Sequence, residues 1–342
     1  MQGRGLAVEQ PVLWLGLAGF SPSQKSSIEI ALAQSTGPCR WRVSAFGEAD
    51  GWWLNGAKAS LLPDGRLKVI PGIPTERSLK LDLSEVDRPL AFAGPVSVEE
   101  LEPLCIFDLF SPSSIQAALL QFEHWLRPVR AQFVMGSLLI QRSSEERRGI
   151  YHVNHRGTLI AVLDFQEGQA AILPAAHPNE IAQAQWEKRP PGAGQAPESF
   201  GRFSTTQLAW AYVCRTDLDM LPARYRRDTI YYRHVPRVPL RWLSDSQLRL
   251  LRDLSSKPAT LQVLRERSGL PLRQVEHDLA CLYYAGSVTT TASNATAPLP
   301  AREDKPPSDP RLNSLLHRAH AQTRHGDVTA PASLEQRRMA GW

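Results

Sequence analysis

The sequence predicts an α/β N-terminal region, an α+β middle region and a small C-terminal module of three helices and a strand that runs into a disordered tail. Three observations carry this prediction. Over residues 11–108, apolar runs of strand length alternate with helical patterning. Around residues 150–172, alternating runs flank Asn154-His155-Arg156-Gly157, a hairpin signal. Over residues 243–290, three short helical patterns closed by Gly or Pro precede a β-branched run.

The totals bound the function. A chain of 342 residues has room for roughly two or three domains. Its composition, 42% hydrophobic and 21% charged, is that of a globular protein rather than a disordered one. A net charge of +5 permits nucleic-acid or phosphate partners without requiring them. Cys39, Cys105, Cys214 and Cys281 are scattered and apolar in context, which argues against a zinc site or a disulfide framework. The N-terminal apolar run lacks a signal-peptide core, and no uninterrupted apolar run reaches membrane length, so no membrane insertion and a cytoplasmic location are expected.

In the first block, Val12-Leu13-Trp14-Leu15-Gly16-Leu17 has the length of a buried strand. Ser21 and Pro22 suit the cap and first position of a helix whose apolar side is Ile28, Ile30, Ala31 and Leu32. Gly37-Pro38 stops it. Further strands fall at 40–44, 52–54, 67–70 and 89–93, and a helix is expected from Ser97. This alternation indicates a parallel sheet covered by helices. Its order and lengths resemble a bacterial response-regulator receiver domain, above all over RPLAFAGPVSVEELEPL, residues 88–104. A receiver ends its first strand in acidic residues that hold Mg²⁺; Gly16-Leu17-Ala18-Gly19 stand there instead. Asn55 is nearest to the phospho-acceptor position, and Gly94 replaces the Lys before the last Pro. Without carboxylates there is neither a metal site nor acyl-phosphate chemistry. The resemblance therefore implies a pseudo-receiver that works by binding; an unrelated small α/β domain accounts for the same residues.

The middle region, 112–220, opens on a helical pattern over 113–135 that Pro128 breaks or kinks. That helix serves a dimer or packs on its neighbours. The hairpin and Ala170-Ala171-Ile172-Leu173 make a three-stranded meander, 188–199 is a Pro/Gly-rich surface loop, and a buried helix spans 205–214. His152, His155 and His177 do not have metal-ligand spacing. No GxSxG, Walker or HExxH motif occurs, and no cofactor or enzymatic activity is expected.

Residues 221–242 form a connecting segment that interleaves Arg224, Arg226, Arg227, Arg233, Arg237 and Arg241 with aromatic residues, against the single acid Asp228. Arginine forks pair with phosphates and stack on flat rings. Three readings follow: a phosphate-contacting flank to DNA, a nucleotide site or a solvated connector. The nucleotide site would be built from Arg226, Arg227, Asp228, Arg233, Arg237 and Arg241. Arg233-His234-Val235-Pro236-Arg237 has the RxxxR spacing of PilZ-type cyclic-di-GMP binders, while Pro258 stands where the companion motif needs Gly.

The module over 243–290 begins with a helix opened by Ser244 and Gln247 as a capping box and carrying Leu248, Leu250, Leu251 and Leu254. A second helix follows from Thr260, then a turn at Gly269, then a third helix from Pro271 to about Ala285. The pattern resembles the winged helix-turn-helix of bacterial regulators, in which the third helix enters the major groove. That resemblance implies that Arg273, Gln274, His277 and Asp278 face outward, with Arg for guanine and Gln for adenine, and that Arg265 and Arg267 reach phosphates. Glu276 and Asp278 would repel a DNA backbone there, and the sequence after Thr290 lacks a return strand for a wing. Many such modules bind proteins, so DNA and a signalling protein both remain as partners. Residues 292–342 read as a disordered tail, with one short helical pattern at 312–324. Together these features predict a non-enzymatic, cytoplasmic regulatory or adaptor protein, able to form a homodimer, with a pseudo-receiver as input and the C-terminal module as output. The alternative is a cyclic-dinucleotide effector.

Overall fold

The parallel sheet expected in the first block is present in the computed structural model, which describes residues 9–96, 105–142 and 146–296. Strand β1 (Val12–Ala18) leads through helix α1 (Pro22–Ala33) to β2 (Arg40–Ser44) and β3 (Gly51–Asn55). A meander of β4 (Ala59–Leu61), β5 (Arg66–Val69) and β6 (Leu79–Asp82) precedes β7 (Leu90–Ala93) and β8 (Ile106–Phe107). Five of these strands form one parallel sheet in the order β2-β1-β3-β7-β8. Helix α1 starts where the sequence places it, with Ser21 and Gln24 in a reciprocal capping box. The helix expected from Ser97 lies outside the described residues.

Alternate side chains of these strands serve two cores, as the period-two geometry of a strand requires. Leu13, Leu15, Trp53, Ala91 and Phe107 are buried with Ile28 and Leu32 of α1 and with Ile115, Leu119 and Phe122 of α2 (Pro112–Trp125). Leu54 and Phe92 turn the other way and are buried with Ala59, Leu67, Val69 and Leu81 of the meander. Each such burial contributes about 1.5–3 kcal/mol. One face of the sheet is thus covered by helices and the other by a second small sheet, where the receiver resemblance implies helices on both.

The strand order reverses between β1 and β3, and the crevice beyond their carboxyl ends is where doubly wound sheets bind ligands. Here the chain itself fills it. Asn55 ends β3, and its Nδ2 donates to the Gly19 carbonyl at 3.1 Å. Gly19 has φ +82°, and a Cβ there would lie 2.9 Å from Cγ1 of Val69. A Cβ at Gly72 would overlap the Phe20 carbonyl, so the strap after β5 is seated on the β1–α1 turn.

Pro128 does break the predicted long helix: α2 ends at Trp125 and α3 (Arg127–Gln141) restarts with Pro in its first turn. The meander β9 (Ile150–His155), β10 (Thr158–Asp164) and β11 (Gln169–Ile172) forms as read. Beyond α4 (Pro178–Ala182), β12 (Gln185–Arg189) and β13 (Gly201–Ser204) extend it to five antiparallel strands in the order β12-β9-β10-β11-β13. Tyr151, Val153, Ala161, Leu163, Ala170 and Ile172 share one buried face by register. The Pro/Gly-rich loop crosses the opposite face, where Nε2 of His152 lies 2.9 Å from the Ala193 carbonyl oxygen. Helix α5 (Thr205–Val213) follows, capped by Ser204, and packs along α3, where a Cβ at Gly136 would overlap the Leu208 carbonyl.

The α/β and α+β regions, read as separate domains at 11–108 and 112–220, make one structural unit. Among the described residues it comprises those up to Met220 with Arg237–Ser244; the second unit comprises Leu221–Pro236 and residues 245–296. The seam inside the first unit is polar. Arg215 donates to both oxygens of Asp50, at 2.7 and 2.6 Å, and the Trp14 backbone N–H donates to the same carboxylate at 2.9 Å. The Val12 N–H donates to the Arg215 carbonyl at 2.8 Å. Arg40 and Arg42 pair with Asp217, and Tyr212 and Thr216 donate to Glu9. Trp242 stacks on Trp210 of α5 at 5.9 Å and fastens Arg237–Ser244 to this unit. The described residues hold no helix long and apolar enough to cross a membrane. The tail expected over 292–342, with its helical pattern at 312–324, lies outside the described residues from 297 on.

Two predictions follow from this core. Arg215→Ala leaves the shielded Asp50 carboxylate without its partner and is expected to lower stability by about 3 kcal/mol in urea unfolding; a loss under about 1 kcal/mol would show that the seam holds without the pair. Glu123 is buried in α2, where it accepts from Nε1 of Trp41 at 3.2 Å, and burial pushes its carboxyl above the usual carboxylate range. The native state then binds that proton more tightly than the unfolded chain. Its stabilising contribution is full below about pH 4 and is lost as pH rises through the native value. Glu123→Gln is therefore expected to raise the melting temperature at pH 7 more than at pH 4; the reverse order would refute it.

Candidate nucleic-acid interface

The second unit is built on α7 (Asp245–Ser256), α8 (Leu261–Ser268) and α9 (Leu272–Tyr284). Leu250, Leu251 and Leu254 of α7, Leu261 and Leu264 of α8, and Val275, Leu279 and Leu282 of α9 are buried. Thr260 caps α8, and Gly269, with φ +67°, ends it in the left-handed conformation that a side chain resists. These are the start and stop signals read from the sequence.

The preceding segment, read as part of a connector, is divided between the two units. Its first part holds α6 (Arg224–Arg227) and β14 (Tyr231–Tyr232) and belongs to the helical unit. Strand β14 pairs antiparallel with β15 (Val288–Thr289), and Ile230 exchanges backbone hydrogen bonds with Ala259 at 2.9 and 3.1 Å. β14 therefore lies between Ala259 and β15. Among the described residues β15 is followed only by a short turn, Ala292–Asn294, and Thr296 returns to bond the Tyr232 carbonyl at 3.1 Å. Tyr225 is buried; its hydroxyl donates to the Val288 carbonyl at 3.0 Å and its ring meets Tyr283 at 5.2 Å. Burial pushes this phenol up to about 12.

This scaffold redistributes the residues expected in the site. Arg265 and Arg267 are exposed on α8, and Arg273 and Gln274 are exposed on the first turn of α9. His277 is half-buried, with its Nε2 3.8 Å from Sγ of Cys281. Asp278, expected to face outward, is only 1% exposed. It accepts from Nε2 of Gln274 at 3.3 and 3.2 Å and from Nε2 of Gln247 at 3.4 Å, and burial raises its carboxyl. Its i, i+3 spacing from Val275 carries the signal for this inward position. Glu276 is held by Nε of Arg226 at 2.8 Å, while Nη1 of Arg226 donates to the Leu221 carbonyl at 3.0 Å. Both acids thought to repel DNA are thus removed from the outer face of α9.

The same contacts change the arginine reading. Arg226 braces α9, while Arg227, Asp228 and Arg233 are exposed in the helical unit. Arg237 and Arg241 are exposed in the other unit, so the two arginines of the RxxxR spacing stand on different bodies. The described part of the helical unit has ten Arg and Lys residues against six Asp and Glu, and Glu276 and Asp278 are two of those six acids. What remains exposed on α8 and the start of α9 is Arg265, Arg267 and Arg273, with the exposed acid Glu266 between the first two. The residues missed from sequence were Tyr225 and the buried side of Gln247, which form contacts far apart in the chain. Among the described residues no group of three His, Cys, Asp or Glu side chains could hold a metal ion.

Tyr225→Phe leaves the buried Val288 carbonyl without its donor and is expected to lower stability by about 1 kcal/mol in urea unfolding of the full chain; unchanged unfolding would return Leu221–Pro236 to the status of a connector. Comparisons with protein-family models, with curated proteins and with solved structures found no match.

Proposed function

We propose that the second unit is a winged-helix-like module that binds duplex DNA through α8 and the first turn of α9, and that the first unit is a non-catalytic regulatory body. The observation that carries this reading is the removal of both acids from the outer face of α9: Arg226 neutralises Glu276, and Gln247 and Gln274 take Asp278 inward. Arg273 is exposed on the first turn of α9 and in this reading meets base edges, with Arg265 and Arg267, exposed on the helix before it, for phosphates. In this reading β14 takes the sheet position of a wing's return strand, so contact is made by the helices rather than by a basic wing tip. The first unit supports its part of the proposal by the strand order β2-β1-β3-β7-β8, shared with receiver-type sheets, and by the chain-filled crevice at Asn55.

Binding of the full chain to a pool of random duplexes, titrated from about 50 to 200 mM salt, tests this. Affinity is expected to fall steeply with salt, and Arg265→Ala and Arg267→Ala should each reduce the log–log slope by about 0.9, whereas Arg273→Ala should cost about 1–3 kcal/mol and relax base preference. Salt-independent or absent binding would reject the DNA reading in favour of a protein partner on the same face.

A further inference from the structure

We infer that Gln274 is a specificity residue, held so that its amide oxygen faces the major groove and selects a base bearing an exocyclic amine, cytosine or adenine. This rests on the DNA-binding reading above. Gln274 is exposed on the first turn of α9, one helical turn before Asp278. Its side-chain nitrogen lies 3.3 and 3.2 Å from the two carboxyl oxygens of Asp278. An ionised carboxylate only accepts, and a protonated one keeps an acceptor oxygen. Nε2 is the amide atom beside both carboxyl oxygens, so the NH₂ end is turned inward and Oε1 is the outer end. Asp278 cannot swing away to release it: the side chain is 1% exposed and is also held by Nε2 of Gln247 at 3.4 Å.

A free glutamine reads adenine with both ends of its amide, pairing N6 and N7 together. Nε2 of Gln274 is drawn onto Asp278 and would have to leave it to reach adenine N7, so the oxygen does the reading. Cytosine N4 and adenine N6 offer the hydrogens it needs, while guanine O6 and thymine O4 place an acceptor against an acceptor. Arg273, the preceding residue, carries donors only and suits the acceptor edge of guanine. The turn thus displays a donor fork beside a fixed acceptor.

The test is sequencing of the duplexes that the full chain retains from a randomised pool, with melting temperatures measured for each variant. The wild-type chain is expected to show a position at which adenine and cytosine both exceed guanine and thymine by about tenfold. Gln274→Met keeps the length and removes the acceptor; it should erase that preference alone, with duplex binding retained and a modest fall in melting temperature from the bond lost to Asp278. Asp278→Asn can accept or donate, so the amide is free to turn, and guanine or thymine should then be admitted at the same position. A preference for adenine alone in the wild-type chain would overturn the inference, as would one that persists in Gln274→Met; in both cases DNA binding itself would stand. Absence of duplex binding by the wild-type chain would remove the reading on which it rests and the inference with it. Because Gln274 is exposed, its variant decides the matter even if Asp278→Asn does not fold.

Discussion

Asp50 sits in the turn before β3, where its carboxylate receives the Trp14 backbone N–H and both ends of the Arg215 guanidinium. Two charges shielded from water are costly unless their hydrogen bonds are made, and here they are made bidentately with a backbone donor added. The placement gives the pair its wider effect. Arg215 lies just past α5, and its carbonyl also accepts the Val12 N–H at the start of β1. The end of the α+β region is thereby joined to the first strand of the parallel sheet, and the Asp217 and Glu9 contacts extend the same seam. A ligand of the N-terminal sheet would therefore act on a body that includes the antiparallel sheet, not on a hinged input domain.

Charge placement governs the second unit in a comparable way. Two acids on one short helix would be a liability beside an anionic polymer, since phosphate contacts supply much of the affinity. The chain handles them by different means. Glu276 is neutralised by Arg226, a residue 50 positions away in sequence and partly buried with it. Asp278 is turned inward, where two glutamine amides solvate it in place of water. Each solution also does structural work: the first ties α6 to α9, the second ties α7 to α9. The charge balance around the exposed arginines of α8 and α9 thus depends on how the helices are held together as well as on composition.

The features legible in the sequence were those set by neighbours in the chain. The apolar run of β1, the Ser21 cap, the break at Pro128, the hairpin at Asn154-His155-Arg156-Gly157 and the stop at Gly269 each depend on a few adjacent residues, and each falls where it was read. Pairings between distant residues were not legible. β12 and β13 pair with residues of the meander 29 or more positions away, and β14 is only two residues long. The division of the connector at Pro236 had no compositional mark, because its arginines run through both parts. Asp278 is a different kind of miss. Its spacing from Val275 and Leu282 places it on the apolar face, a position where an acid is rare unless its hydrogen bonds are made, as the two glutamines make them here. Of the site residues, the exposed Arg265, Arg267, Arg273 and Gln274 could be read from the helix pattern. The roles of Arg226 and Gln247 could not, since each depends on a partner brought in by the fold.

These contacts also fix where the helical unit begins. A boundary at Leu243 encloses all three helices and looks sufficient by pattern. It would nevertheless strand Glu276 without Arg226, leave the Val288 carbonyl without the Tyr225 hydroxyl, and expose the edge of β15 that β14 covers. An unpaired strand edge and an unsatisfied buried carbonyl each carry a cost comparable to the net worth of a hydrogen bond or more. The residues from Leu221 to Pro236 are therefore part of the module's fold, even though Arg237–Ser244, which follows them directly, is fastened to the other unit by Trp242. The chain leaves the first unit at Leu221, returns at Arg237 and leaves again at Asp245, so membership of the helical unit is set by these contacts and not by continuity of the sequence.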